Sequence, residues 1–185
     1  MSRASRKRPR SKSRAIAALI FWLGLLPVVS SDAGSLRTIE HCEALDASAI
    51  PAAIASLKID SADAEVFRNA LCRYSLSTRT AIVTYDINTV FENIAARRRP
   101  IDEYRFPLPV IVVDGRTVGS LPTHVPAEFP VIIILQVPTS PASVPERICL
   151  KAQTEALGDP PRYRPLKWQA DSYVEAKDDR GCSGL

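Results

Sequence analysis

The chain has 185 residues, with 24 Lys and Arg against 20 Asp and Glu, a formal net charge of +4. Seven of the basic residues, and none of the acidic ones, fall in the first 31 positions. The remainder carries 17 basic against 20 acidic residues, a net charge near −3, which removes the basic surface that nucleic-acid binding needs.

The basic head runs into an apolar block, Ala15 to Val29, followed by the small residues Ser30, Ser31, Ala33 and Gly34. Fifteen apolar residues are fewer than the roughly 20 of a membrane-spanning helix. Gly24 and Pro27 interrupt the later part. This pattern predicts a secretory signal peptide over 1–31, cleaved after Ser31 or Ala33. It leaves one globular domain over 34–185, long enough for a hydrophobic core. An uncleaved membrane anchor is the alternative, because a basic head stays on the cytoplasmic side. After cleavage no membrane span is expected.

Helical spacing opens the domain. Ile39, Cys42 and Leu45 recur at three, and Ile50, Ile54 and Leu57 at four and three, with Pro51 tolerated in a first turn. A clearer helix is predicted over about 62–74, with Val66, Phe67, Ala70, Leu71 and Tyr74 on one face. Cys72 projects opposite that face, which either demands a cover on the polar side or ends the helix before Cys72.

The period then changes to two. Ala81, Val83, Tyr85 and Ile87 alternate with more polar residues and predict a half-buried strand. Thr89 and Glu92 read as a capping box before a short helix, about 89–99, whose apolar side is Val90, Phe91, Ile94 and Ala95. Arg97, Arg98 and Arg99 suit its C-terminal dipole and Pro100 stops it. Pro109 leads into the strand Val110 to Val113. Asp114-Gly115 is a hairpin signal, since a type I′ turn needs positive φ at both central residues. Arg116 to Leu121 is the return strand. Val131 to Val137 reads as a strand buried on both faces. Glu146 to Ala152 is a strand or the start of a helix through Leu157, and Ser172 to Lys177 a last strand. Twelve of the 15 prolines lie between Pro100 and Pro165, mostly in connections, and read as stiff loops. The fold class is α+β: N-terminal helices, then a mainly antiparallel sheet with one short helix between strands, stapled by disulfides.

Four cysteines, Cys42, Cys72, Cys149 and Cys182, lie outside the leader. An even count in an exported chain predicts two disulfides. Three pairings are open; the local one, Cys42–Cys72 with Cys149–Cys182, is preferred because it keeps the two halves separate. Without a C-x-x-C, neither a redox motif nor a zinc ribbon is expected.

Residues that carry chemistry are few. His41 adjoins a disulfide cysteine, and His124 sits in a proline-flanked loop with no nucleophile elbow. Neither has the spacing of a metal site, so no metal is expected. The seven glycines form neither a phosphate loop nor a dinucleotide motif, so no cofactor is expected either. The acidic pairs Asp60 and Asp63, Asp102 and Glu103, and Asp178 and Asp179 read as caps or solvated charges. Arg97, Arg98 and Arg99 form a basic cluster in an acidic domain, suited to solvation or to an acidic partner.

The sequence is therefore read as a secreted or periplasmic binding protein, an inhibitor, accessory or immunity-type chain, whose partner is a protein or an envelope component. The scarcity of catalytic residue types weighs against an enzyme. The alternatives are a secreted hydrolase with a site near His124, and a membrane-anchored envelope assembly component.

Overall fold

The computed structural model describes residues 36–98, 100–125, 131–138, 140–152, 162–177 and 182. The leader and its cleavage positions lie outside them, as do Arg99, Leu157 and the pair Asp178 and Asp179.

The described chain is mainly β with some helix. Its strands are β1 (Arg37–Ile39), β2 (Glu43–Ala44), β3 (Leu71–Ser75), β4 (Thr80–Tyr85), β5 (Val110–Val113) and β6 (Arg116–Ser120). They continue with β7 (Val131–Ile134), β8 (Arg147–Ala152), β9 (Arg162–Gln169) and β10 (Ser172–Glu175). The helices are α1 (Ile50–Leu57), α2 (Ala64–Phe67) and α3 (Ile87–Arg97), with a short 3₁₀ turn at Ile101–Glu103. Two antiparallel sheets form, rather than the one expected. The first has the order β2-β3-β4-β5-β6, and the second β1-β7-β8-β9-β10.

The sheets pack face to face. Tyr74, Ile82 and Ile111 of the first meet Ile132, Ile134, Ile148, Leu150, Leu166 and Tyr173 of the second in one buried layer. Each such isoleucine or leucine contributes about 1.5–3 kcal/mol by leaving water. On its other face the first sheet offers Leu71, Val83, Tyr85 and Val110 to the helices, which supply Ala53, Leu57, Val66, Phe67, Val90 and Ile94. The layers are thus helix, sheet, sheet. Gly119 of β6 lies against Ser172 of β10, where a Cβ would come within 2.9 Å of the serine Oγ. That hydroxyl donates to the Ser120 carbonyl at 3.1 Å, joining the two sheets at one edge.

This three-layer arrangement explains where the sequence reading fails. Ile39, Cys42 and Leu45 belong to short strands and their connections, not to a helix, so the described chain opens with β1 and β2. The predicted helix over 62–74 is only α2, because Leu71–Ser75 pairs with Tyr85–Ala81 as β3. An apolar set at i, i+1, i+4, i+5 fits a strand equally well once Leu71 and Tyr74 point into different layers. β4 is buried on both faces, not half-buried: Ile82 packs against the second sheet, and Thr80 and Thr84 on the same face are buried too. α3 begins two residues before Thr89. Its cap is Asp86, whose Oδ1 accepts the Thr89 N–H at 2.8 Å, so Thr89 and Glu92 do not form the capping box. Residues 147–152 are strand rather than helix, and β9 was not anticipated.

Other local signals match. Pro51 sits in the first turn of α1. Asp114 and Gly115 take φ of 50° and 75° between β5 and β6. The Arg79 guanidinium pairs with Asp114 and holds its carboxyl below the usual range by hydrogen bonding. The disulfides join Cys42 to Cys72 and Cys149 to Cys182, with Cα separations of 5.5 and 6.0 Å.

Three measurements test these constraints. Gly115→Val forces a branched side chain into left-handed backbone, at about 1–2 kcal/mol. The melting temperature should fall by roughly 2–8 °C; an unchanged value would contradict the turn. Non-reducing peptide mapping should recover the two local bridges with no alkylated cysteine. Cys42→Ala with Cys72→Ala should lower stability by about 3–4 kcal/mol through the opened loop.

Candidate functional site

β4 runs without a break into α3, so Thr84, Tyr85, Asp86 and Ile87 turn a corner where the helix layer ends. A cavity of about 630 Å³ opens there. Its size lies within the usual range for small-molecule sites. The Cys42–Cys72 bridge and Tyr74 form one wall, and Tyr85, Phe91 and Phe106 another. Glu40 and His41 come from the link between β1 and β2, and His124 and Val125 from the loop after β6.

The chain has only two histidines, and both line this cavity. Sequence reasoning placed His41 beside a structural cysteine and His124 in an exposed loop, and gave no reason to join them. The structure brings them to one cavity, together with the carboxylates of Glu40 and Asp86. The residues missed from sequence are Glu40, Tyr74, Thr84, Asp86, Phe91 and Phe106. The one available signal was the preferred Cys42–Cys72 pairing, which draws His41 toward the strand that carries Cys72.

The aromatic wall is anchored in the core. Phe67 is fully buried and stands edge-on to Tyr85, with ring centroids 4.9 Å apart. Phe106 meets Phe67 at 6.4 Å and Phe91 at 5.8 Å, both edge-on. Such pairs add about 0.5–1.5 kcal/mol each beyond burial. Phe91 remains 42% exposed at the outer end of this chain of rings. The Tyr85 hydroxyl donates to the Pro107 carbonyl at 3.0 Å, which fixes the ring.

The electrostatics are one-sided. Asp86 gives one oxygen to the Thr89 N–H as the α3 cap. Burial, with a smaller contribution from the Asp86 charge, pushes the Tyr74 phenol up to about 12. Partial desolvation lowers the His124 pKa, which favours its neutral imidazole. Among the described residues no carboxylate is hydrogen-bonded to either imidazole, and no group of three or more His, Cys, Asp and Glu is placed to hold a metal ion.

A second cavity, of about 660 Å³, lies between α1 and the first sheet and is lined by Arg37, Arg73 and Arg79. These guanidinium groups are engaged. Arg73 meets Glu43 at 3.4 Å, Arg79 pairs with Asp114, and Arg37 donates to the carbonyls of Leu76 and Ser75. Arg97 and Arg98 stand exposed at the end of α3, and neither lines the histidine cavity.

No known protein family, curated protein or solved structure matches this chain significantly.

Alkaline titration tests the buried walls. Tyr74, Tyr85 and Tyr173 all have phenols raised by burial. Above about pH 10 the unfolded chain releases protons that the folded chain retains, so stability falls as pH rises. The tyrosinate absorbance of these three should appear together with unfolding. Their ionisation in a domain that stays folded would contradict the burial.

Proposed function

We propose that this chain is an exported binding protein of the cell envelope or secreted space, of the inhibitor, accessory or immunity type, and that the histidine cavity is its ligand seat. One observation carries the reading: the chain's two histidines, two carboxylates and a core-anchored aromatic wall line a single cavity of ligand size. Apolar walls with a few convergent polar groups are the usual composition of a binding pocket. Two disulfides are compatible with an oxidising compartment. Among the described residues no helix is long and apolar enough to cross a membrane. Export rests on the leader, read as a signal peptide over 1–31 ahead of a single domain over 34–185. Arg97 and Arg98, exposed at the end of α3, and Arg99, next in sequence and outside the described residues, are the proposed contact for an acidic protein or envelope component.

The hydrolase reading gains one supporting observation, since His124 shares its cavity with Asp86 and Glu40. Among the described residues no carboxylate orients a histidine base, the arrangement that activates a nucleophile. The anchored reading depends on the leader alone. Mass spectrometry of the exported protein should find an N-terminus at Asp32 or Gly34; a retained leader would favour the anchor.

The binding test uses the two imidazoles as reporters. Fragments screened against the oxidised domain by NMR should shift the ring protons of both His41 and His124. A fragment set that binds elsewhere and moves neither ring would overturn the seat. Hydrolysis that disappears in the His41→Ala, His124→Ala double variant would replace binding with catalysis.

A further inference from the structure

Resting on the cavity as a ligand seat, we infer that its ligand is a cation with an apolar body, an amine or a quaternary ammonium group. The charged groups on the wall are the carboxylates of Glu40 and Asp86, and among the described residues no Lys or Arg lines it. Asp86 gives one oxygen to a neutral N–H donor, so its charge is not cancelled by a cation. Desolvation disfavours the charged form of His124. The field in the cavity is therefore negative at neutral pH.

The rest of the wall is suited to such a charge. Tyr74, Tyr85, Phe91 and Phe106 line the cavity; Tyr74 and Tyr85 are buried in the core, and Phe91 is the most exposed of the four. Aromatic faces attract cations through their quadrupole, and the attraction grows as water is excluded. The edge-on contacts of Phe106 with Phe67 and Phe91 hold these rings without a ligand present. An anionic ligand would meet two like charges and no counter-charge. A neutral one would gain apolar contact but nothing from the carboxylates. The cavity beside α1 is the poorer cation seat, because Arg37, Arg73 and Arg79 line it against the single carboxylate of Asp114, which Arg79 already pairs.

The test uses three probes of one shape: choline, its neutral isostere 3,3-dimethylbutan-1-ol, and 3,3-dimethylbutanoate. Each is titrated into the full oxidised domain while the His41 and His124 ring protons are followed. Choline should bind at least about fivefold more tightly than the alcohol, and the carboxylate most weakly. Asp86→Asn with Glu40→Gln should reduce the preference for choline to the part the rings supply, with the start of the helix kept, since asparagine also serves as an N-cap. Equal binding of choline and the alcohol, or tighter binding of the carboxylate, would overturn the cationic ligand while leaving the seat intact. No response to any of the three, in a cavity that fragments enter, would overturn it too. A cavity that no fragment enters fails as a seat altogether.

Discussion

A two-residue strand cannot hold its place through backbone hydrogen bonds alone, and β2 is such a strand. It pairs with β3 only through Glu43 with Arg73 and Ala44 with Cys72, at the edge of the first sheet. The Cys42–Cys72 bridge supplies the missing constraint. It fastens the segment carrying Glu40 and His41 to a strand buried between two layers. Everything on that side of the cavity depends on this bond. The other sides depend on core packing, through Tyr74 between the sheets and Phe67 beneath the aromatic wall.

The bridged segment also connects the two sheets. Cys42 packs against the layer that holds Ile82, Ile111, Ile132 and Ile148, and the chain reaches it directly from β1 of the opposite sheet. The segment between β1 and β2 therefore spans both sheets. At the far edge Gly119 and Ser172 bring β6 and β10 together without a disulfide. The cavity lies on the bridged side, where the strands diverge toward α3 and the loop bearing His124.

Much of this fold was legible where a residue decides its own conformation. The Asp114-Gly115 turn, Pro51 in the first turn of α1 and the run of isoleucines in β7 act locally. β3 was misread because its apolar residues serve two different layers, so their spacing mimics a helix face. β9 was missed because Arg162, Arg164 and Lys167 put exposed charge on both of its faces, and Leu166 is its only fully buried side chain. Such a strand is fixed by its pairing with Arg147–Ala152 rather than by its own pattern. The cavity was less legible still. Its residues run from Glu40 to Val125, and only the three-layer packing brings them together.

Hydrogen exchange across residues 40–45 tests most directly whether the bridge, and not the short β2–β3 pairing, holds this wall. The comparison is between the native domain and the Cys42→Ala, Cys72→Ala variant. The Leu45 N–H, bonded to the Leu71 carbonyl at 3.3 Å, is the critical reporter. In the variant it should lose its protection while the amides pairing β4 with β5 keep theirs. Equal protection of Leu45 in both proteins would contradict the account.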